Sequence, residues 1–286
     1  MSWLALSILS ATGIFFCFGL FSRVGVDNRL AIAVNYTIAA ILGFLINPVP
    51  LSFLFQTKML LGVLVGAAFY FLFMLIAWLT QKGGIAIGTI SSQMSLVIPV
   101  LLAPFLYDER FGVLRMLGIL AGLSAIYLMA RQDARMPNKE FPLQRLRIAA
   151  LVVFVGTGIC MSLIKFSRAT FVTDEFELGF VAFVFSVSAV SSWLHILMTP
   201  KKWDQKKKKS VLAGIALGVP NLGSLYFLIR ALATPGLDSS LVFPVNNIGI
   251  VMSSTLVGWM VFKEHLGVSG RWGVFFAIIG VILVSL

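Results

Sequence analysis

The sequence predicts an all-α integral membrane protein of ten transmembrane helices, built from two inverted five-helix repeats. Three observations predict it. The composition is too apolar for a chain whose whole surface faces water. Ten separate stretches are long and apolar enough to cross a bilayer. The second half repeats signatures of the first in the same order.

Of the 286 residues, 59% are hydrophobic and only 12% are charged, with a mean hydropathy of +0.99. A soluble domain carries roughly twice that charged share to keep its surface wet. Lipid is the solvent that tolerates this composition. Cys17 and Cys160 both lie inside apolar runs and suggest neither a disulfide framework nor a metal site. His195 and His265 sit in different segments, so a metal cluster lacks material. No metal and no cofactor are expected. No Walker motif is present, so ATP hydrolysis by the chain itself is not expected. Met1-Ser2 offers no basic stretch ahead of the first apolar run, and that run is too long for a typical signal-peptide core. It reads as a retained helix.

A helix needs about 20 apolar residues to cross the hydrocarbon layer. The qualifying stretches are Trp3 to Ser22, Leu30 to Asn47, Met59 to Thr80, Gly84 to Tyr107, Val113 to Ala130, Ile148 to Phe166, Phe176 to Met198, Val211 to Ala233, Leu237 to Phe262 and Val268 to Leu286. The breaks between them carry turn or charge signals, such as Asp27-Asn28-Arg29, Pro48-Val49-Pro50, Lys82-Gly83-Gly84 and Lys263-Glu264-His265. The halves are 1–131 and 148–286, joined by a linker over 132–147.

The net charge is +11. Ten crossings put both termini on one side and let the loops alternate between two faces. The loops after the odd-numbered stretches hold sixteen of the 22 Lys and Arg residues and five of the 11 acids, so the whole net charge falls on one face. By the positive-inside rule that face is cytoplasmic, both termini lie outside, and the membrane is the plasma (inner) membrane. The Lys-rich loop 199–210, with its run Lys206 to Lys209, is then a cytoplasmic loop that meets anionic lipid rather than nucleic acid.

The repeat is read from matched signatures. Thr12-Gly13-Ile14 and Phe21-Ser22-Arg23 recur as Thr157-Gly158-Ile159 and Phe166-Ser167-Arg168 at an offset of 145 residues. Gly62-xxx-Gly66 recurs as Gly214-xxx-Gly218, and Ala77 and Thr80 recur as Ala231 and Thr234 at an offset of 154. Glu109 and Glu264, then Gly118 and Gly273, follow at 155. Five helices is an odd number, so the second copy enters the membrane from the opposite side. Inverted repeats suit secondary transporters, because two such halves can exchange conformations around a midplane site. The sequence therefore predicts alternating-access transport of a small solute, by a monomer or homodimer.

These residues also carry a resemblance. The segment Ala231-Leu232 to Pro235, the closing Glu109 and Glu264, the glycines Gly118, Gly122, Gly273 and Gly280, and the stretch from Leu241 to Ile250 resemble the EamA-type transporters of the drug/metabolite transporter superfamily. The resemblance covers essentially the whole chain and implies a ten-helix secondary transporter of small organic metabolites.

Polar groups inside a bilayer cost free energy, so they gather on cavities or helix contacts. Asn246 and Asn247 follow Pro244, which frees a backbone carbonyl and bends the helix. At an offset of 155, Ser91 and Ser92 fall opposite them, followed by Gln93. Asn221 and Ser224 share a helix face beside Pro220, with Tyr226 a turn from Arg230. Asn35, Tyr70 and His195 complete the candidates. His195 and Arg230 are the candidates for coupling. No Asp or Glu falls in the middle of a stretch, so a carboxylate proton relay has no carrier, unlike in the related small multidrug transporters. The expected solute is neutral or zwitterionic, an amino acid or an amphipathic compound. The alternatives are an organic-anion exchanger using Arg230, Lys165 and Arg115, and a non-transporting membrane protein. No catalytic residue is expected, since His195 has no carboxylate neighbour within its stretch and an intramembrane enzyme needs a nucleophile with its base.

Overall fold

A computed structural model describes residues 2–99, 102, 112–130, 143–199, 207–232, 234, 239–264 and 266–286. The described chain is helical. In order the helices are α1 (Ser2–Val24), α2 (Asn28–Ile46), α3 (Leu60–Gly83), α4 (Ile85–Gln93), α5 (Val113–Ala130), α6 (Leu143–Thr170), α7 (Glu177–Met198), α8 (Lys207–Leu232), α9 (Ser239–Phe262) and α10 (Val268–Ser285). A single turn, Leu51–Leu54, and a 3₁₀ turn, Thr57–Met59, bridge α2 and α3.

Helices suit this composition because each one satisfies its own backbone groups, which lipid cannot do. Among the described residues seven helices are long and apolar enough to cross a membrane: α1, α2, α3, α6, α7, α8 and α9. Shorter apolar stretches fall on Ile85–Pro99, Met116–Ala125 and Val268–Leu283. The fourth stretch of the sequence, expected to run to Tyr107, continues from α4 through a 3₁₀ turn at Met94–Leu96, and its end lies outside the described residues. Two helices start earlier than expected. α6 begins at Leu143 rather than Ile148, and α8 at Lys207 rather than Val211. Arg145, Arg147 and Lys207 to Lys209 extend these helices by about a turn, beyond the apolar runs that located them.

The turns are built from local chemistry. α1 ends where Gly25 adopts φ 71° and the N–H groups of Gly25 and Val26 both reach the Phe21 carbonyl, a left-handed cap that glycine makes cheaply. Asp27 then caps α2 by accepting from the Arg29 N–H at 3.0 Å. Between α3 and α4 the chain reverses at Gly84 alone, with φ 97°.

Glycines set the packing. A Cβ on Gly66 of α3 would fall 2.6 Å from the Val184 carbonyl oxygen of α7. On Gly214 of α8 it would fall 2.5 Å from the Ala31 oxygen of α2. The two Gly-xxx-Gly motifs thus seat α3 on α7 and α8 on α2. The remaining main contacts are α1 with α8 and α9, α6 with α3 and α4, α2 with α7, α3 with α4, α9 with α4 and α10, and α5 with α10. Gly280 of α10 lies against Gly118 and Gly122, so α5 and α10 touch backbone to backbone. Tyr36, Tyr70, Phe18 and Phe180 are the largest fully buried side chains. Outside, Leu45, Leu197, Met198 and Val113 stand more than 70% exposed, a surface that suits lipid rather than water.

The helix ends gather in two groups. At one end Asn28 and Gln81 exchange two amide hydrogen bonds, and the Arg29 guanidinium donates to Thr199. There the Asp27 N–H donates to Ser210, and Gly83 lies near Leu146. At the other end Asn47 bonds to Glu175 and Gly179, and Phe53 packs on Phe176.

Candidate functional site

α9 carries the two amides that matter most. Asn246 and Asn247 are each 5% exposed. Asn246 Oδ1 and Asn247 Nδ2 are buried and hydrogen-bond to no group among the described residues. Consecutive helical positions point about 100° apart, so the two side chains address different neighbours. Asn246 shares a stripe with Gly249, which seats against Ile8, and Ser253, which bonds to Thr12 at 2.6 Å. That stripe faces α1. Asn247 shares a stripe with Ser254 and Gly258, and Gly258 lies near Ile85. That stripe faces the start of α4. The amide pair therefore stands where α9 passes between α1 and α4.

A second polar group joins α2, α8 and α1. Asn221 Nδ2 donates to Asn35 Oδ1 at 3.1 Å. Asn35 is fully buried. Ser224 donates to the Asn221 carbonyl, and Ser7 donates to the Ser224 carbonyl at 2.7 Å. Pro220 breaks the backbone pattern of α8 beside these groups and packs on Gly13 of α1. Asn35 and Asn221 are brought together from distant segments, while no hydrogen bond among the described residues joins either to Asn246 or Asn247.

The serines of α4 behave differently. Ser91 and Ser92 are buried, and Ser92 donates to the carbonyls of Gly88 and Thr89 in its own helix. Ser95 donates in turn to the Ser92 carbonyl. Gln93 is half-buried at the last residue of α4. A serine can retire its hydroxyl onto a carbonyl one turn back, which an asparagine amide cannot do as readily.

Tyr70 of α3 is fully buried, and its hydroxyl pairs with Nδ1 of His195 on α7, with Phe71 alongside. Tyr226 is half-buried and edges onto Phe227. Arg230 is exposed, with its guanidinium 5.5 Å from the Trp3 ring, and Trp3 stacks on Phe227. That is a side chain reaching along aromatic surface toward water. Lys165 is exposed on α6, and the Arg115 side chain lies outside the described residues. No cluster of His, Cys, Asp or Glu among the described residues could hold a metal ion.

Sequence reasoning passed over Ser7, Ser253 and Thr12 as site residues. Thr12 entered only as a repeat signature. Ser253 stood in plain view two turns beyond Asn246, on the same stripe.

One carboxylate completes the inventory. Glu264, just past α9, accepts from the Ile85 N–H at 2.9 Å and 3.1 Å through its two oxygens. Burial pushes its carboxyl above the usual carboxylate range, and the Ile85 and Ala86 N–H groups and Arg23 pull it back only in part.

The fold is shared with a solved crystal structure. That protein superposes with a TM-score of 0.60 at 18% identity, over 97% of this chain and 95% of its own. In sequence, the chain is 24% identical over 215 residues to an uncharacterized protein of Haemophilus influenzae, covering 72% of this chain and 68% of that protein. No family model matches the chain.

Proposed function

We propose that this chain is a secondary transporter that moves a small neutral or zwitterionic organic solute across the plasma membrane by alternating access. The observation that carries this reading is the Asn246–Asn247 pair. It presents a buried acceptor and a buried donor without partners among the described residues, inside a strongly apolar helix. An unpaired amide buried away from water costs about 1–3 kcal/mol, and a solute that supplies the missing partners recovers that cost on binding.

The packing order supports the ten-helix inverted repeat. If α1 to α5 correspond in order to α6 to α10, the main contacts between the two halves pair off. α1 on α8 answers α6 on α3, and α1 on α9 answers α6 on α4. α2 on α8 answers α7 on α3, while α2–α7 and α5–α10 map onto themselves. The two Gly-xxx-Gly seats exchange under the same rule. This is the symmetry the EamA-type resemblance leads one to expect, and it suits two halves that trade conformations about a shared site. In this reading the solute lies between α1, α4, α8 and α9, with Asn246 and Asn247 on it and Asn221 and Asn35 beside it. The paired Tyr70 and His195 stand ready to couple a proton to transport. Arg230 and Lys165, both exposed, favour no anion site.

The test is Asn247→Ala, after uptake into proteoliposomes across a metabolite library has identified the solute. Uptake should fall about tenfold, the scale of one hydrogen bond at ~1.4 kcal/mol, with little change in the melting transition. A destabilised protein with unchanged solute affinity would remove Asn247 from the site.

A further inference from the structure

Glu264 does more than close a helix. Its two oxygens receive the Ile85 N–H, and the Ala86 N–H reaches it as well. These are the first donors of α4, the groups a helix leaves unsatisfied at its start and the end of its dipole that favours an anion. The carboxylate also lies in a socket with glycine on both walls. A Cβ on Gly84 would fall 3.1 Å from Oε2, and one on Gly258 would fall 2.8 Å from it. Gly84 makes the turn at φ 97° that presents the donors. On the other side, Lys263 turns at φ 56° and the Glu264 N–H reaches back to the Gly258 carbonyl, which aims the side chain at α4. Arg23 of α1 closes the same corner, donating to the Val261 carbonyl with its guanidinium 4.5 Å from the Phe262 ring.

The contact thus ties the end of α9 to the start of α4, two helices that follow one another nowhere in the chain. It lies at the end that gathers Arg23, Arg29 and Lys82. The face of α9 that meets α4 runs back from Gly258 through Ser254 to Asn247. Whatever separates α4 from α9 at Glu264 therefore uncovers that face first.

We propose that Glu264 is a releasable latch. Seated in the glycine socket, it closes the basic end of the molecule between α4 and α9; withdrawn, it opens a path from that end toward Asn247. The socket is built for release as much as for closure. Burial raises the carboxyl's pKa despite its hydrogen bonds, so the charged form is held less favourably here than in water. The latch rests on the transport reading for its purpose, but its movement can be measured without any solute.

The test places one reporter thiol behind the latch. Ser254 is fully buried, one turn deeper than Gly258 on the same face. Cys17 and Cys160 are replaced by serine, and Ser254→Cys is introduced. Reconstituted vesicles are treated with a membrane-impermeant thiol reagent from the face at which a separate Lys208→Cys variant reacts. With the latch intact, position 254 should react slowly. Glu264→Ala removes the acceptor, and Gly258→Ala pushes a methyl group into the socket. Each should speed labelling by about tenfold or more as the closed population falls. Melting transitions are recorded for both variants, and because one acts on the carboxylate and the other on its seat, both need not fail to fold. If position 254 stays as protected as before in either variant that retains a melting transition, the latch is overturned. If labelling rises in both but no solute is moved by the unmodified protein, the latch stands and the transport reading falls.

Discussion

At the scale of single residues, the structure separates two kinds of buried asparagine that look alike in the sequence. Asn35 and Asn221 hold one another across α2 and α8, and Asn221 also lies in a relay with Ser224 and Ser7. Among the described residues Asn246 and Asn247 keep an acceptor and a donor unspent. The first pair should therefore behave as structure and the second as site. In a double-mutant cycle, Asn35→Ala and Asn221→Ala should each lower the melting transition, with a coupling of about 0.6–1.7 kcal/mol, the range of interhelical hydrogen bonds in membrane proteins. A coupling near zero would mean that the amides merely sit side by side. Nothing in the sequence distinguishes the two pairs, because the partner of a buried amide is decided by the register between segments far apart in the chain. What the sequence does disclose is that each amide lies within an apolar run, with Asn221, Asn246 and Asn247 close to a proline and Asn35 not.

At the scale of helices, glycine spacing was legible and helix length was less so. The Gly-xxx-Gly motifs of α3 and α8 are small-residue seams, and both mark close contacts in the structure. Gly66→Ala should lower the melting transition by the equivalent of about 1–3 kcal/mol, since its methyl group meets backbone that has nowhere to move. Gly267→Ala, where a Cβ meets nothing within 4 Å, should leave it unchanged. Equal effects at the two positions would show that the α3–α7 seam is looser than described. The early starts of α6 and α8 escaped the sequence reading because hydropathy marks where lipid ends, whereas Arg and Lys are good helix formers that extend a helix past it. The 3₁₀ turn after α4 also escaped. Its serines satisfy themselves on nearby carbonyls, and such bonding leaves no trace in an apolar pattern.

At the scale of the whole molecule, the charge asymmetry of the sequence acquires a physical location. Arg23, Arg29, Lys82 and the start of α8 converge on one end of the bundle, through contacts that no loop census could supply. If that end faces the cytoplasm, a Lys208→Cys variant in intact cells should react with an impermeant reagent only after permeabilisation, and a cysteine at Ser2 should react without it. The opposite pattern would invert the molecule in the membrane and place the Glu264 latch on the outer side. The all-helical membrane fold was plain from composition and run length. Which helix touches which was not, since short signatures give order without contacts.

The glycine seam between α5 and α10 has a consequence for biosynthesis. α5 ends at Ala130, and the partner that covers Gly118 and Gly122 begins only at Val268. At a synthesis rate of about 5–20 residues per second, a newly inserted α5 waits on the order of ten seconds for that partner. Throughout that interval the side of α5 that Gly280 covers is without its partner, although Gly122 already faces Val97 and Met94. A ribosome that stalls or stops before α10 leaves that face uncovered. The making of α10 therefore sets how long α5 waits for this contact.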